Sequence, residues 1–353
     1  MKFNVSKDTL WTVAKYLLAL AVLLYVGYAN WEPAEGHGLG KVWNDHVIEG
    51  EPIHGLYLLL ALLLHLLGML SSLLRWYVLV RAQDLPFTVL GAIRLGTLGF
   101  LCNAFLPGAV GGDVVKAAAL AREQSRQTVA VATVIMDRVM SLWALILLVA
   151  VVGSICYLFN LLDAAALGPS QVLILTSVIT VAISGSVWVA MGLCSPKGIE
   201  KIADQLKRVP KVGGSLSQLW QVAWLYRNRP ASIGWGIVLA TLSNVFEIFA
   251  FFCYVLVLWD ELPTNPLPSM VDHFLLVPVG FVINGLPLFP GGAGIGEAGF
   301  GGLYKLFASA PANGVLGSLL FRVGGWLISV FVYLLCLTFD AGVKPLAAEP
   351  PDP

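Results

Sequence analysis

The sequence predicts an all-α polytopic membrane protein built as an inverted-topology repeat. Of its 353 residues, 58% are hydrophobic and 12% are charged, and the mean hydropathy is +0.82. A soluble domain carries about 25% charged residues. Six apolar windows are long enough to cross a bilayer, which takes about 20 residues. Two further apolar regions, 88–122 and 271–308, are broken near their middles by Pro and Gly. The expected architecture is therefore about six full spans plus two broken helical pairs, each of which is re-entrant or forms two short spans.

The six spans follow from apolar windows along the chain. We interpret the first, 10–29, as an uncleaved span because it has full membrane length, whereas the apolar part of a signal peptide is usually shorter. Residues 27–29 weakly resemble a signal-peptidase site, which is the alternative. The other five windows are 55–80, 128–159, 171–194, 231–259 and 313–340.

Charges in the connecting segments predict the orientation. The loop 30–54 has five acids and one lysine and is expected outside, whereas 195–230 has seven basic residues and two acids and is expected in the cytoplasm. Arginines flank 88–122 on both sides, and acids precede 271–308. The first broken region should therefore enter and leave from the cytoplasm, and the second from outside. Lys344 follows the last span, so both termini are expected in the cytoplasm, in a bacterial inner membrane.

The chain is expected to form one integral membrane domain, 1–353, with a first repeat at 55–159 and a second at 231–340. The first repeat starts outside and the second inside, which is the inverted arrangement of many secondary transporters. Between them, apolar residues at helical spacing within 195–230 predict two short amphipathic helices on the inner leaflet. The alternative is a basic loop that packs under the bundle. The Pro-rich tail 341–353 is expected to be disordered.

The broken regions carry the candidate binding site. A helix break in lipid leaves backbone groups in need of partners, and amides freed at a helix start attract anions. An acid follows each break, Asp113 or Glu297, and an arginine follows each acid after 25 residues, Arg138 or Arg322. Both arginines should lie about 15 Å deep, where a lone charge costs at least ~2.5 kcal/mol. The candidate set also includes Asn103, Asn284, Gly111, Gly112, Gly294 and Gly296.

Two structural explanations compete with substrate binding at this site. Each acid suits the first turn of its own half-helix and could serve only as a cap. Alternatively, each acid and its arginine could form a buried ion pair with no role in transport. In the functional interpretation both arginines line a polar cavity between the repeats and bind a phosphate, whose oxygens match the guanidinium fork. The acids would then bind a cationic group, carry a proton or hold the arginines in place.

Other polar residues in the spans give weaker indications. Asp137 faces a different side of its helix from Arg138, so it is not an automatic partner for it. Arg75 and Trp76, near a span end, are expected at the interface, where Arg snorkels and Trp anchors. His65 is interpreted as a packed core residue. No cysteine or histidine spacing indicates a metal or another cofactor, and zero net charge gives no indication of nucleic acid. Possible secondary contacts are Asp137, Lys116, Arg94 and Glu247.

Two Gly-rich signatures surround the candidate site. They are Asn103-x-x-Leu106-Pro107-Gly108-x-x-Gly111-Gly112-Asp113, followed by Asp137-Arg138, and Pro290-Gly291-Gly292-x-Gly294-x-Gly296-Glu297. Both resemble signatures of the membrane domain of the lysylphosphatidylglycerol synthase/flippase family, and the resemblance extends from about residue 10 to 340. It implies handling of a lipid with a polar head. Bifunctional members carry a soluble aminoacyl-transferase domain, which does not follow residue 340 here, so a stand-alone member that does not make lysyl lipid by itself is expected.

These observations favour a flippase-like lipid translocase that moves a phosphate-bearing lipid by alternating access at a midplane cavity. The sequence contains no GxxxxGK[ST] motif, so direct ATP hydrolysis is not expected. A membrane-embedded transferase acting on lipid-linked sugars is an alternative, although the outward loop 30–54 has no DxD pair. A further alternative is a non-catalytic partner of a lipid-synthesis enzyme. The sequence makes no prediction of oligomeric state.

Overall fold

The computed structural model describes residues 7–32, 38–105, 111–162, 167–210, 213–259, 266–286 and 289–340. All regular structure within these ranges is helical. Five of the helices are long and apolar enough to cross a membrane by length and composition. The predicted all-α polytopic class is therefore confirmed.

Thirteen α-helices lie in the described part of the chain. They are α1 (Lys7–Ala29), α2 (Leu39–Trp43), α3 (Gly55–Arg81), α4 (Val89–Phe105), α5 (Gly111–Glu123), α6 (Gln127–Leu158), α7 (Leu167–Leu193), α8 (Pro196–Lys207), α9 (Gly213–Leu225), α10 (Pro230–Leu256), α11 (Met270–Asn284), α12 (Ile295–Leu306) and α13 (Pro311–Asp340). A short π-helix, Asn44–Ile48, follows α2, and a 3₁₀ turn, Pro290–Gly292, precedes α12.

The long helices reproduce the predicted spans. The helices α3, α6, α7, α10 and α13 begin and end within four residues of the predicted windows. Leu, Val, Ile and Ala dominate them, so each can lie in hydrocarbon with its backbone hydrogen bonds satisfied internally. The first predicted span coincides with α1, whose described apolar part is Ala14–Ala29.

The helix order of a long helix, two short helices and a long helix occurs twice, as α3–α6 and as α10–α13. The first helices of the two sets, α3 and α10, form the most extensive helix pair among the described elements. They run antiparallel: Ser243 near the middle of α10 donates to the carbonyl of Gly68 at 2.8 Å, and Gly236 near its start faces Leu79 near the end of α3. The α3–α10 pair thus joins the two halves of the molecule.

Both broken regions form pairs of short helices, as predicted. Helices α4 and α5 flank residues 106–110, so Pro107 and Gly108 of the first signature lie outside the described residues. In the second region the 3₁₀ turn separates α11 from α12. This turn contacts α4, and α13 also packs on α4, so the second break lies against the first broken pair. The repeat bounds and the membrane sides from which the pairs enter stay predictions.

The segment between the repeats forms the two short helices expected from its apolar spacing. Helix α8 buries Ile199 and Ala203, and α9 packs on α8 and on α6. On α9, Leu216 and Leu219 are each 39% exposed, whereas Ser217 is buried. The contact of α8 and α9 with the inner leaflet stays a prediction. The tail 341–353 lies outside the described residues.

Candidate functional site

The two acids of the candidate site occupy equivalent places in the two halves. Asp113 is the third residue of α5 and Glu297 is the third residue of α12, so each lies in the first turn of its short helix. Arg138 and Arg322 each follow the first residue of their long helix by 11 positions. At 1.5 Å per residue both arginines lie about 16 Å along their helices. The matched spacing in sequence is therefore a matched depth in the structure.

In the second half, Arg322 is held by several acceptors at the helix break. Its Nε and Nη2 donate to Glu297 Oε1 at 2.9 and 2.7 Å, Nη1 donates to the carbonyl of Gly291, and Nη2 lies 3.4 Å from Asn284 Oδ1. Glu297 is fully buried, and its Oε2 accepts from the backbone N–H of Gly294 at 2.7 Å. One carboxylate thus caps the start of α12 and neutralises the arginine.

In the first half, the corresponding pair is more open. Arg138 Nε donates to Asp113 Oδ2, and the arginine side chain is 42% exposed, against 12% for Arg322. Asn103 Oδ1 accepts from the backbone N–H of Gly112 at 2.7 Å and so satisfies one amide at the start of α5. A Cβ on Gly112 would lie 1.9 Å from the carbonyl oxygen of Gly99, which explains why α4 and α5 meet at a glycine.

The second break requires glycines for a conformational reason as well as a steric one. Gly292 and Gly294 have φ values of +70° and +83°, a region that strongly favours glycine. A Cβ on Gly296 would lie 2.5 Å from Asn284 Oδ1, just as Gly112 lies against Asn103. Each asparagine therefore fits against a glycine of its own break.

The structure brings together, within each half, the acid, the arginine, the asparagine and the glycines predicted from sequence. Gly111, the first residue of α5, completes the first set. Both structural explanations apply to Glu297, which caps its helix and forms an ion pair, and the ion-pair explanation applies to Asp113. Whether these residues also contact a substrate stays a prediction.

A second charged cluster lies one residue from Arg138. Asp137 accepts from Arg75 Nε at 2.8 Å and from Lys116 Nζ at 3.0 Å. The expectation that Arg75 snorkels is wrong, because the residue is only 2% exposed. Trp76 is also fully buried rather than interfacial. The Nζ atom of Lys116 lies 4.2 Å from the centroid of the Trp76 ring. Asp137 supplies a counter-charge inside the bundle, so the guanidinium does not need to reach water.

Sequence reasoning missed this cluster because its three charges come from three helices with no local spacing. The second half has aromatic rings in the corresponding places. Phe300 lies 184 residues after Lys116, and Phe321 lies 184 residues after Asp137. Phe251 lies near the end of α10, as Arg75 lies near the end of α3. Phe251 stacks on Phe300 at 4.3 Å and lies 5.8 Å from Phe321. The two halves thus share a geometry but differ in charge, with a net charge of +1 in the first cluster.

The paired signatures lie within a region that matches a known protein family. The family of the lysylphosphatidylglycerol synthase transmembrane region matches residues 12–333. The chain belongs to this family. The match includes both broken helical pairs and both arginine–acid pairs, which confirms the resemblance expected from the sequence. Comparisons with curated proteins and with solved structures gave no match.

The remaining candidates in this member of the lysylphosphatidylglycerol synthase family lie in two other places. Arg94 and Glu123 approach to 3.8 Å between α4 and α5, and both side chains are partly exposed. Glu247 lies on α10 at the contact with α3, where His65 Nε2 is 3.6 Å from Glu247 Oε2. His65 is a packed residue, as expected: its ring stacks on Phe321 at 4.5 Å. Membership of the family agrees with a membrane role in lipid modification or lipid flipping.

Proposed function

We propose that this protein translocates a polar-headed, phosphate-bearing lipid across the bilayer by alternating access. The observation that carries the proposal is the pair of arginine–acid sets, at equal depth, each at the start of a broken helix. A charge at this depth is costly in lipid, and residues of this kind in transporters usually face a substrate path. The lipid head would pass between the two sets while its acyl chains stay in the bilayer.

The arginines have the chemistry that phosphate recognition needs. A guanidinium presents parallel donors that match two phosphate oxygens, and the contact is strengthened by charge. Arg138 has 42% of its side chain exposed, so a phosphate can approach it while Asp113 remains beside it. Arg322 is 12% exposed and also donates to the carbonyl of Gly291. We therefore assign first contact with the head group to Arg138, and assign to Arg322 the ordering of the second break.

The contact between the two halves supports movement about a common site. The 3₁₀ turn of the second break touches α4 of the first broken pair, and α13, which carries Arg322, also packs on α4. A displacement of one broken pair is therefore transmitted to the other. In inverted-repeat transporters such a contact lies near the substrate, and the two halves exchange conformations around it.

Lipid translocation by the purified protein in proteoliposomes tests the proposal. A phospholipid with a fluorescent head is followed by the fraction of label that an impermeant quencher can reach. We expect Arg138→Ala and Arg322→Ala to abolish translocation while the protein still elutes as a folded species. Arg227→Ala is the matched control and should leave the rate unchanged, because Arg227 lies in the connection between α9 and α10 and its guanidinium stacks on Trp224 of α9.

Full activity of both arginine variants would refute the phosphate site. Turnover of a labelled lipid-linked sugar by the pure protein would instead favour the transferase, since we propose transport without group transfer. Co-purification with a lipid-synthesis enzyme, together with no lipid movement by the protein alone, would favour a non-catalytic partner. We also propose an inner-membrane orientation with both termini in the cytoplasm, which accessibility of terminal cysteine labels in sealed vesicles tests.

A further inference from the structure

Glu247 is a largely buried acid that the proposed lipid site does not use. Its side chain is 16% exposed and lies inside α10, nine residues before the end of the helix. Within the described part of the chain, its Oε2 atom has no hydrogen-bond partner. The nearest basic group is His65 Nε2 at 3.6 Å, which is too long for a hydrogen bond and carries charge only when the imidazole is protonated. This differs from Asp113 and Glu297, each of which is neutralised by an arginine.

The surroundings of this pair are closely packed and come from three helices. A Cβ on Gly68 of α3 would lie 2.6 Å from Glu247 Oε1, so the glycine makes room for the carboxyl group. The hydroxyl of Tyr254 on α10 lies 3.4 Å from His65 Nδ1. Helix α13 contributes the ring of Phe321, and a Cβ on Gly325 would lie 3.2 Å from His65 Nε2.

The titratable groups around the pair are few. Of the described residues in contact with it, Tyr254 is the titratable one, and it comes from α10. Helix α13 presents Phe321 and a glycine, and the guanidinium of Arg322 is directed to Glu297 and Gly291 instead. Helix α6 meets α10 one turn away through Asn244, whose amide donates to the carbonyl of Ser141 at 3.3 Å.

Charge balance makes this pair suited to hold one proton. With one proton the pair is neutral overall, either as imidazolium and carboxylate or as imidazole and carboxylic acid. Loss of that proton leaves a buried negative charge without a cation, and gain of a second leaves a buried positive charge. Either charge is stabilised when water reaches the pair, and a separation of α3 and α10 would admit water. These are the helices that join the two halves of the molecule.

We propose that Glu247 and His65 form a proton-binding site at the junction of the two halves, and that its proton occupancy sets how closely α3 and α10 pack during lipid movement. The transport part of this inference rests on the proposed function. The binding part does not, since a proton can bind whether or not a lipid moves. With the proton bound the junction is closed, and release of the proton favours a hydrated, opened junction.

Infrared difference spectra of the full-length protein in nanodiscs, recorded across a pH series, test the binding part. Among the carbonyl stretches of protonated carboxylic acids, to which all the acids of the protein contribute at low pH, one band should titrate in the wild-type protein and be lost in Glu247→Gln. Asp84→Asn is the control and should retain the band, because Asp84 is an exposed acid that pairs with Arg229 outside this junction. His65→Gln should shift the midpoint of the band, and this second variant decides the matter if Glu247→Gln does not fold. If no band is lost in Glu247→Gln, or if the midpoint of that band is unshifted in His65→Gln, the proposal is overturned.

Lipid translocation measured over the same pH series tests the coupling part. The wild-type rate should change with pH, and Glu247→Gln should give a flat profile. A wild-type profile in Glu247→Gln overturns the coupling. If the wild-type protein moves no lipid at any pH while the infrared band still titrates at Glu247, the proposed function fails and the proton-binding site stands.

Discussion

Replacement of Asp137 by asparagine should destabilise the protein strongly, because it leaves two buried cations without a counter-charge. Arg75 and Lys116 contact Asp137 at 2.8 and 3.0 Å, and each of the three side chains is less than one tenth exposed. A unit charge pair about 4 Å apart attracts by about 4 kcal/mol at an effective dielectric of 20. Asp137→Asn removes two such attractions and keeps the repulsion between the cations. Relaxation and water entry offset part of this, so we expect a loss of about 3–5 kcal/mol, as for other broken buried pairs.

Unfolding of the purified variants in mixed micelles, with a denaturing detergent as titrant, measures this loss. Lys116→Met should cost much less, because the neutral pair of Arg75 and Asp137 remains intact. Asp84→Asn is a surface control: it weakens the exposed pair with Arg229, and asparagine also tolerates the positive φ of 57° at this position. Exposed pairs contribute about 0–1 kcal/mol. The charge argument is refuted if Asp137→Asn unfolds no more easily than Lys116→Met.

Two further predictions concern packing at the short helices. Gly112→Ala should lower the unfolding midpoint because its Cβ would lie 1.9 Å from a backbone oxygen of α4. Gly302→Ala, inside α12, should keep the midpoint or raise it, because nothing lies within 4 Å of its Cβ and alanine favours the helix more than glycine does. Equal midpoints of the two variants would contradict the close α4–α5 contact. Tyr304→Phe should cost about 1–3 kcal/mol in the same assay, because the buried His273 loses the hydroxyl that lies 2.7 Å from its Nε2. Nδ1 of His273 donates to a backbone carbonyl, so Nε2 is the acceptor in the neutral ring, and unchanged stability would contradict this assignment.

Most of the helical architecture could be predicted because lipid imposes a simple length rule on each span. The windows at 128–159 and 313–340 differ from α6 and α13 by no more than two residues at either end. The breaks were predictable for a related reason: Pro and Gly interrupt a helix locally, so the signal lies in adjacent residues. The roles of Asp113 and Glu297 in the first turns followed from the same local chemistry.

The partners of charges on separate helices were predicted only where the repeat supplied a spacing. The 25-residue interval linked Asp113 to Arg138 and Glu297 to Arg322, and both pairs form. No interval pointed to the contact of Arg75 with Asp137, and the proximity of Arg75 to the end of α3 suggested the opposite environment.

The sequence by itself determined the membrane class, the helix order, the two breaks and the two arginine–acid sets, because each depends on hydropathy or on neighbouring residues. Only the tertiary structure decided that Asp137 neutralises Arg75 and Lys116, that rings replace these charges in the second half, and that Glu247 meets His65 across the α3–α10 junction. The physical reason is that these contacts join helices far apart in the chain. Their energies depend on burial and on distance, which arise only when the helices pack.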